Sequence, residues 1–398
     1  MIYYSTRIED YLDAISGCEA FFVAERDHFK VINYISMGND VFPDPMAAPD
    51  EITARKWGLR RQCRGIIFDH DGNVISLPIH KFFNVNEKDE TQSHLIDLTQ
   101  PHVILEKLDG SMIRTIPLGN TFRLGTKMGI TDVSMQAEVW VADRPNYHDF
   151  IMLHLERGQT PIFEWCSNKQ RIVLSHPDDQ LVLIAIRDIA TGSYKSYEQM
   201  RTYSEAYDIT LVEQYLGKVE TMQTLLDETR DLLDKEGWII RFDDGEMLKI
   251  KAEDYILKHR AKDSILRENG VIEMLLAEKL DDVKSVLDDD TRHRLEKFET
   301  AFWQGVTEAT DTWKHRYLMV KAEHGADRKS FALDERYQTL DSNLKSAIFR
   351  NWDAFHDADW RQDVVNTIAK NIGTQTKVDA IRKLFGKAKW SYDVVGDE

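Results

Sequence analysis

Lys107, in the string Lys107-Leu108-Asp109-Gly110-Ser111, is set where a lysine can act as a nucleophile toward phosphorus. Its amine, once rid of its proton, would attack the α-phosphate of a nucleotide and become covalently nucleotidylated. Neighbouring cations and desolvation favour that proton loss. A lone Lys-x-Asp-Gly string arises by chance in roughly one chain in ten of this length, so the residues that follow it carry the weight. They come in order: Phe163-Glu164-Trp165, Lys235-Glu236-Gly237-Trp238 and Leu248-Lys249-Ile250-Lys251.

Lys249 and Lys251 flank Ile250, so on a strand both face one side of a sheet, where they can clamp phosphates. Glu236, at the start of its own run, suits a hydrated Mg²⁺, which touches protein through few carboxylates. Glu164 sits between two aromatic residues of an apolar strand, where an unpaired carboxylate is costly, and a ribose hydroxyl would partner it. Upstream, Arg64 and Lys81 flank a predicted hairpin and can be directed at phosphates, and Phe83 offers an aromatic surface. His80 and His176 receive no chemical role.

The elements that must hold these groups are legible as short β-type runs: 65–68, 103–105, 112–116, 162–163, 172–174, 181–186, 238–242 and 247–250. Asp71-Gly72 and Asp244-Gly245 are hairpin signals. The second joins the strand after Glu236 to the strand carrying Lys249 and Lys251. Helical periodicity marks 133–142 and 220–233. After Tyr255 the pattern is helical, over 272–287, 292–320, 340–355 and 363–370, and Trp303, Trp313, Trp352 and Trp360 have the spacing of a helical core. Two domains follow, 1–255 and 256–398.

A net charge of −17 argues against a protein that coats nucleic acid through a basic surface, so any such contact is local. The run Arg382-Lys383-Leu-Phe-Gly-Lys387-Ala-Lys389 reads as a solvated helix end. Cys18, Cys63 and Cys166 have neither disulfide nor zinc spacing. The longest apolar run is too short to span a bilayer and no signal peptide is evident, so a cytoplasmic protein with no membrane partner is expected.

With these residues in view, the chain resembles the RNA ligase 1 family of ATP-dependent phage enzymes. Cys63-Arg64-Gly65-Ile66, Lys81-Phe82-Phe83-Asn84 and Asn168-Lys169-Gln170-Arg171-Ile172-Val173-Leu174 favour it over DNA ligases and GTP-using capping enzymes. The resemblance implies an α+β architecture: a nucleotidyltransferase (ATP-grasp-like) adenylation domain with antiparallel sheets, then an all-helical domain. It implies ATP and Mg²⁺, or Mn²⁺, as cofactors. Single-stranded RNA or cleaved tRNA ends, bearing 5′-phosphate and 3′-hydroxyl, would be joined by a monomer. Lys107 would be adenylated, with Glu106, Gly110, Lys127, Glu164, Lys249, Lys251 and Tyr255 around the nucleotide. Arg64 and Lys81 would meet its phosphates, and Asp281 and Asp282 would join Glu236 at the metal. Two places depart from the family: Gly125 stands for a second lysine before Lys127, and Asn33-Tyr34 for a tyrosine-rich stretch. Another lysine nucleotidyltransferase, or a non-catalytic module that binds RNA ends, would share some of these residues.

Overall fold

The computed structural model describes residues 3–35, 41–170, 172–285, 287–354, 358–386 and 388–392. The chain divides into two compact units, with the division between Ile256 and Leu257.

The first unit holds twelve strands: β1 (Phe21–Glu25), β2 (Lys30–Tyr34), β3 (Ile66–Phe68), β4 (Val74–Ser76), β5 (Phe83–Asn84), β6 (His102–Lys107), β7 (Ser111–Leu118), β8 (Thr121–Gly125), β9 (Gln159–Cys166), β10 (Gln180–Asp188), β11 (Gly237–Phe242) and β12 (Met247–Lys251). They form three four-stranded sheets, ordered β1-β2-β3-β4, β10-β9-β7-β8 and β5-β12-β11-β6. All pairings are antiparallel except β5 with β12. Both Asp-Gly pairs close hairpins, β3–β4 and β11–β12, with Gly72 and Gly245 at positive φ. The apolar faces of the last two sheets pack on each other: Leu105 of β6 meets Cys166 and Val182, and Met247 of β12 meets Ile162 and Ala185. Lys107 stands at the end of β6, at the mouth of this interface.

Helices Asp132–Ala142 and Met222–Arg230 lie where the periodicity places them. Thr131 caps the first by accepting from Ser134 N, and Thr221 caps the second by accepting from Thr224 N. The run at 172–174, read as a strand, is not one. Its amides are taken by the Asp109 carboxylate instead of a ladder, Val173 N at 2.7 Å and Leu174 N at 2.6 Å. Missing from the sequence reading are β1, β2 and the helix Glu51–Gln62, whose mixed polar surface carries no apolar stripe.

The second unit is helical around one apolar core that includes Trp313, Trp352 and Trp360, with Trp303 packed against it. The stretch read as one helix from 272 to 287 is broken, into Glu268–Leu276 and Leu280–Lys284, by Glu278 at φ +56°. The next helix, Asp289–His324, runs 36 residues from an Asp288 cap and ends at Gly325. Phe355, the end of another expected helix, lies outside the described residues, and the helix there is Ser342–Arg350. Among the described residues no helix is long and apolar enough to cross a membrane.

Candidate active site

The site begins with register. Lys107 pairs with Gly237 across β6 and β11, and Gly237 pairs with Lys251 across β11 and β12. Leu105, Ile239 and Lys249 form the parallel row two residues on, so Lys107, Lys249 and Lys251 share one sheet face. The middle position is a glycine for a reason. At Gly237 the backbone has φ +142°, and a Cβ would lie 1.9 Å from the Ile250 carbonyl oxygen. This kink brings the preceding Glu236 carboxylate beneath the two lysines. Glu236 is 4% exposed, and its Oε1 accepts from Lys107 Nζ at 2.8 Å and from Lys251 Nζ at 2.9 Å.

Asp109 fastens the loop after Lys107. It is 2% exposed, and while its Oδ2 takes the Val173 and Leu174 amides, its Oδ1 accepts from the Tyr255 hydroxyl at 2.7 Å. His176 Nε2 lies 2.7 Å from the Asp109 carbonyl oxygen. Gly110 follows because a Cβ there would meet the Trp165 carbonyl oxygen at 2.4 Å, so the loop lies directly on β9. Tyr255 is buried, and the Lys251 ammonium stands 5.0 Å from its ring centre. Glu106 alternates to the opposite face of β6 and accepts from Lys235 Nζ at 2.8 Å.

Glu164 of β9 is in register with Met112 and Val182, which pack in the inter-sheet interface, so its carboxylate points into the same cleft. Burial pushes that carboxyl up to about 8, against the pull of Lys107. A narrow slot runs inward from Lys107 and Glu164, walled by Leu105, Ile184, Val212 and Ile239.

A cluster of cations surrounds the mouth. Burial, together with the charges of Lys81 and Lys107, lowers Lys249 to about 8. Lys81 is lowered to about 8 by burial and by Arg64, Lys88 and Lys127, although Glu87 opposes this. Burial and Arg64 also lower Lys127. Burial works against the Glu87 carboxylate too, but Asn84, Lys249 and Lys81 hold it below the ordinary range. Among the described residues Arg64, Lys81, Lys127 and Lys249 form no ion pair; their company is aromatic. Arg64 and Lys249 stand over Phe82, Lys81 over Phe83 and Lys127 over Tyr34.

The Lys127 turn is docked by residues that the sequence reading passed over. Asn33 Nδ2 donates to the Lys127 carbonyl at 3.2 Å, and the fully buried Arg114 donates to Thr126 O at 3.4 Å. A Cβ on Gly65 would meet that same Lys127 oxygen at 2.4 Å. At Gly125 the Ile116 side chain and the Gly129 carbonyl fill the space that a Cβ would take.

Glu106 and Phe83, both expected at the site, stand apart from this cluster. Phe83 is 3% exposed and belongs to the core with Phe42, so it offers no surface to a base; the half-buried Phe82 beside it faces the cations. Asp281 is in the second unit, 91% exposed and paired with Lys284 at 3.0 Å. The side chain of Asp282, and Arg171, lie outside the described residues.

A buried carboxylate thus bridges two lysines, and among the described residues the four cations beside it form no ion pair. The RNA ligase family model matches residues 62–266, just over half the chain, and a model of the T4 RNA ligase 1 C-terminal domain matches residues 262–378. The chain is 25% identical over 329 residues to the "Putative RNA ligase" of Thermovibrio ammonificans, covering 79% of this chain and 82% of that one. It is 26% identical over 142 residues to RNA ligase 1 of bacteriophage TS2126, covering 34% of this chain and 36% of that one. Solved structures similar to it include a Naegleria gruberi RNA ligase mutant with ATP and Mn, at 17% identity and TM-score 0.37 over 46% of this chain and 58% of that one. An archaeal ATP-dependent RNA ligase is similar at 11% identity and TM-score 0.42, over 72% and 73%. The chain belongs to the RNA ligase family.

Proposed function

We propose that the chain joins RNA 5′-phosphate and 3′-hydroxyl ends through an adenylate carried on Lys107. The observation that carries this is the bridge Lys107–Glu236–Lys251, ringed by four cations that form no ion pair among the described residues. Such a cluster costs free energy unless an anion fills it, and a nucleotide polyphosphate has the matching charge.

In the first step the Lys107 nitrogen bonds to the α-phosphorus of ATP and the bond to the β-phosphate oxygen breaks, releasing pyrophosphate. The proton leaves Lys107 beforehand, and Glu236, already bonded to Nζ, is the nearest base to receive it. Lys249, Lys81, Arg64 and Lys127 hold the departing phosphates, while Lys251 stays on the α-phosphate. Glu164, largely neutral at pH 7, donates to or accepts from a ribose hydroxyl, and the adenine enters the slot beside Leu105 and Ile239. Next, an oxygen of the RNA 5′-phosphate attacks the same phosphorus, and the bond to Lys107 breaks as the amine regains a proton. Finally the 3′-hydroxyl attacks the RNA phosphate, and AMP leaves with the bridging oxygen.

The donor set also suits a divalent cation. Asp109 is excluded, its oxygens being taken by two amides and a hydroxyl. Glu236 remains as the carboxylate that would hold a hydrated ion, Glu164 being largely neutral. A hydrated Mg²⁺ or Mn²⁺ there would neutralise charge building on the phosphates. The second unit matches the T4 RNA ligase 1 C-terminal domain, and the family resemblance implies cleaved tRNA ends, and so RNA repair, as the physiological setting.

The test is a mass spectrum of protein exposed to ATP and Mg²⁺. One AMP adduct on Lys107 is expected, transferable to 5′-phosphorylated RNA. An adduct elsewhere, or one formed from GTP instead, overturns the assignment.

A further inference from the structure

The first unit holds a second cavity, of about 820 Å³, between residues 191–199, which follow β10, and the β11–β12 hairpin. Arg241 lines it, and also lines the slot that leads to Lys107. By strand alternation Arg241 shares the sheet face of Gly237 and Ile239, with Val103 and Met247 as register partners. Lys107 therefore stands at one end of this face and Arg241 at the other, about 13 Å along the strand.

Arg241 is 5% exposed, yet among the described residues its guanidinium makes no hydrogen bond or ion pair. Arg187, equally buried nearby, shows what a purely structural arginine does here: it donates to the carbonyls of Gly192 and Pro78 and to Gln62. The guanidinium thus faces the cavity without a protein acceptor, only the exposed Asp243 on the rim offsetting its charge, and an anion entering the cavity can meet it. Lys195 adds a second cation on the wall, and the partly exposed rings of Tyr194 and Tyr197 flank it. The rim also carries Asp243, Asp244 and Glu198, all exposed; solvent screens them far better than it screens a buried guanidinium.

We propose that this cavity binds a phosphodiester of the RNA strand, Arg241 gripping the phosphate and Tyr194 and Tyr197 meeting the adjoining base or ribose. The site rests on the RNA ligase reading, and AMP labelling of Lys107 tests that reading separately. In the full-length protein, Arg241→Met and Lys195→Glu are compared with wild type for AMP labelling by ATP, for KM toward a 5′-phosphorylated single-stranded RNA, and for salt dependence. Arg241→Met should raise the RNA KM roughly five- to tenfold in a sequence-independent way and reduce the salt slope by about 1. Inorganic phosphate should compete far less well than an RNA dinucleotide; equal competition would leave a simple anion site and overturn the strand assignment. Unchanged RNA KM and salt slope in Arg241→Met overturn the proposal, as does a raised ATP requirement with RNA KM unchanged. Should that variant fail to fold, Lys195→Glu decides: a raised RNA KM supports the site and an unchanged one overturns it.

Discussion

The two units bury charge in opposite ways. In the second, Glu268 is buried but fully matched: Arg382 and Gln375 donate to its carboxylate, and so does the Trp390 amide. Asp363 is likewise held by Arg350 and Asn351. In the first, Lys81 and Lys249 are buried or half-buried and among the described residues form no ion pair, with only Glu87 nearby to offset them, and one carboxylate, Glu236, is shared by two lysines. A matched buried charge serves the fold that surrounds it. An unmatched cluster is tolerated only where a ligand completes it, which is why the chemistry is assigned to the first unit.

The sharpest way to break this contrast is to remove the nucleophile. Lys107→Ala should abolish the AMP adduct and RNA sealing while leaving thermal unfolding close to wild type, because Lys107 ends a strand, packs no core and leaves Glu236 still paired with Lys251. Any residual adduct, seen by mass spectrometry, would mean that another lysine carries the adenylate. Glu236→Gln comes next. It keeps the shape but takes the charge from between two ammonium groups, and should slow adenylation by roughly 10²-fold, as loss of one preorganised electrostatic contact does. Single-turnover labelling with ATP measures it.

Arg382→Met tests the other side. It strands the Glu268 carboxylate and should cost about 3–5 kcal/mol of stability in the second unit, read by chemical denaturation. Ligation per folded molecule should stay unchanged below the unfolding transition. A loss of AMP labelling in the folded variant would erase the distinction between the units.

The smallest effect is one of pH. Lys81 and Lys249 are each lowered to about 8 in the folded chain, so both are charged below that pH and lose charge as pH rises through it. ATP affinity, followed by calorimetry, should therefore fall between pH 7 and 9. Lys249→Arg should move the fall to higher pH, since arginine keeps its proton. The stability sign is the reverse: burying these ammonium groups costs most below pH 8, and that cost is relieved as pH rises toward the unfolded value of 10.5. The Glu164 carboxyl, raised to about 8, favours folding most below its unfolded value of 4.5, and that contribution fades as pH climbs through 8.

Much of the centre was legible because the chemistry sits in short strings on regular strands. Lys107, Glu236, Lys249 and Lys251 needed only period-two alternation and one Asp-Gly hairpin to be brought together. What escaped reading depends on tertiary approach. Asn33 reaches the Lys127 turn from the remote strand β2 and Arg114 from β7, the partner of β8, and no local pattern announces either. The Val173 and Leu174 run looked like a strand because its composition is β-like, but a distant carboxylate took its amides. Phe83 opens the two-residue strand β5 and is turned into the core, while Phe82, just before it, is turned to the cations.

The three bonds to Asp109 have a consequence for motion. They tie together backbone or side chains at 109, 173–174 and 255, so these segments should open as one cooperative unit. The exchange of two amide protons, on Val173 and Leu174, thereby becomes a gauge of how firmly the nucleophile's loop is held through each turnover.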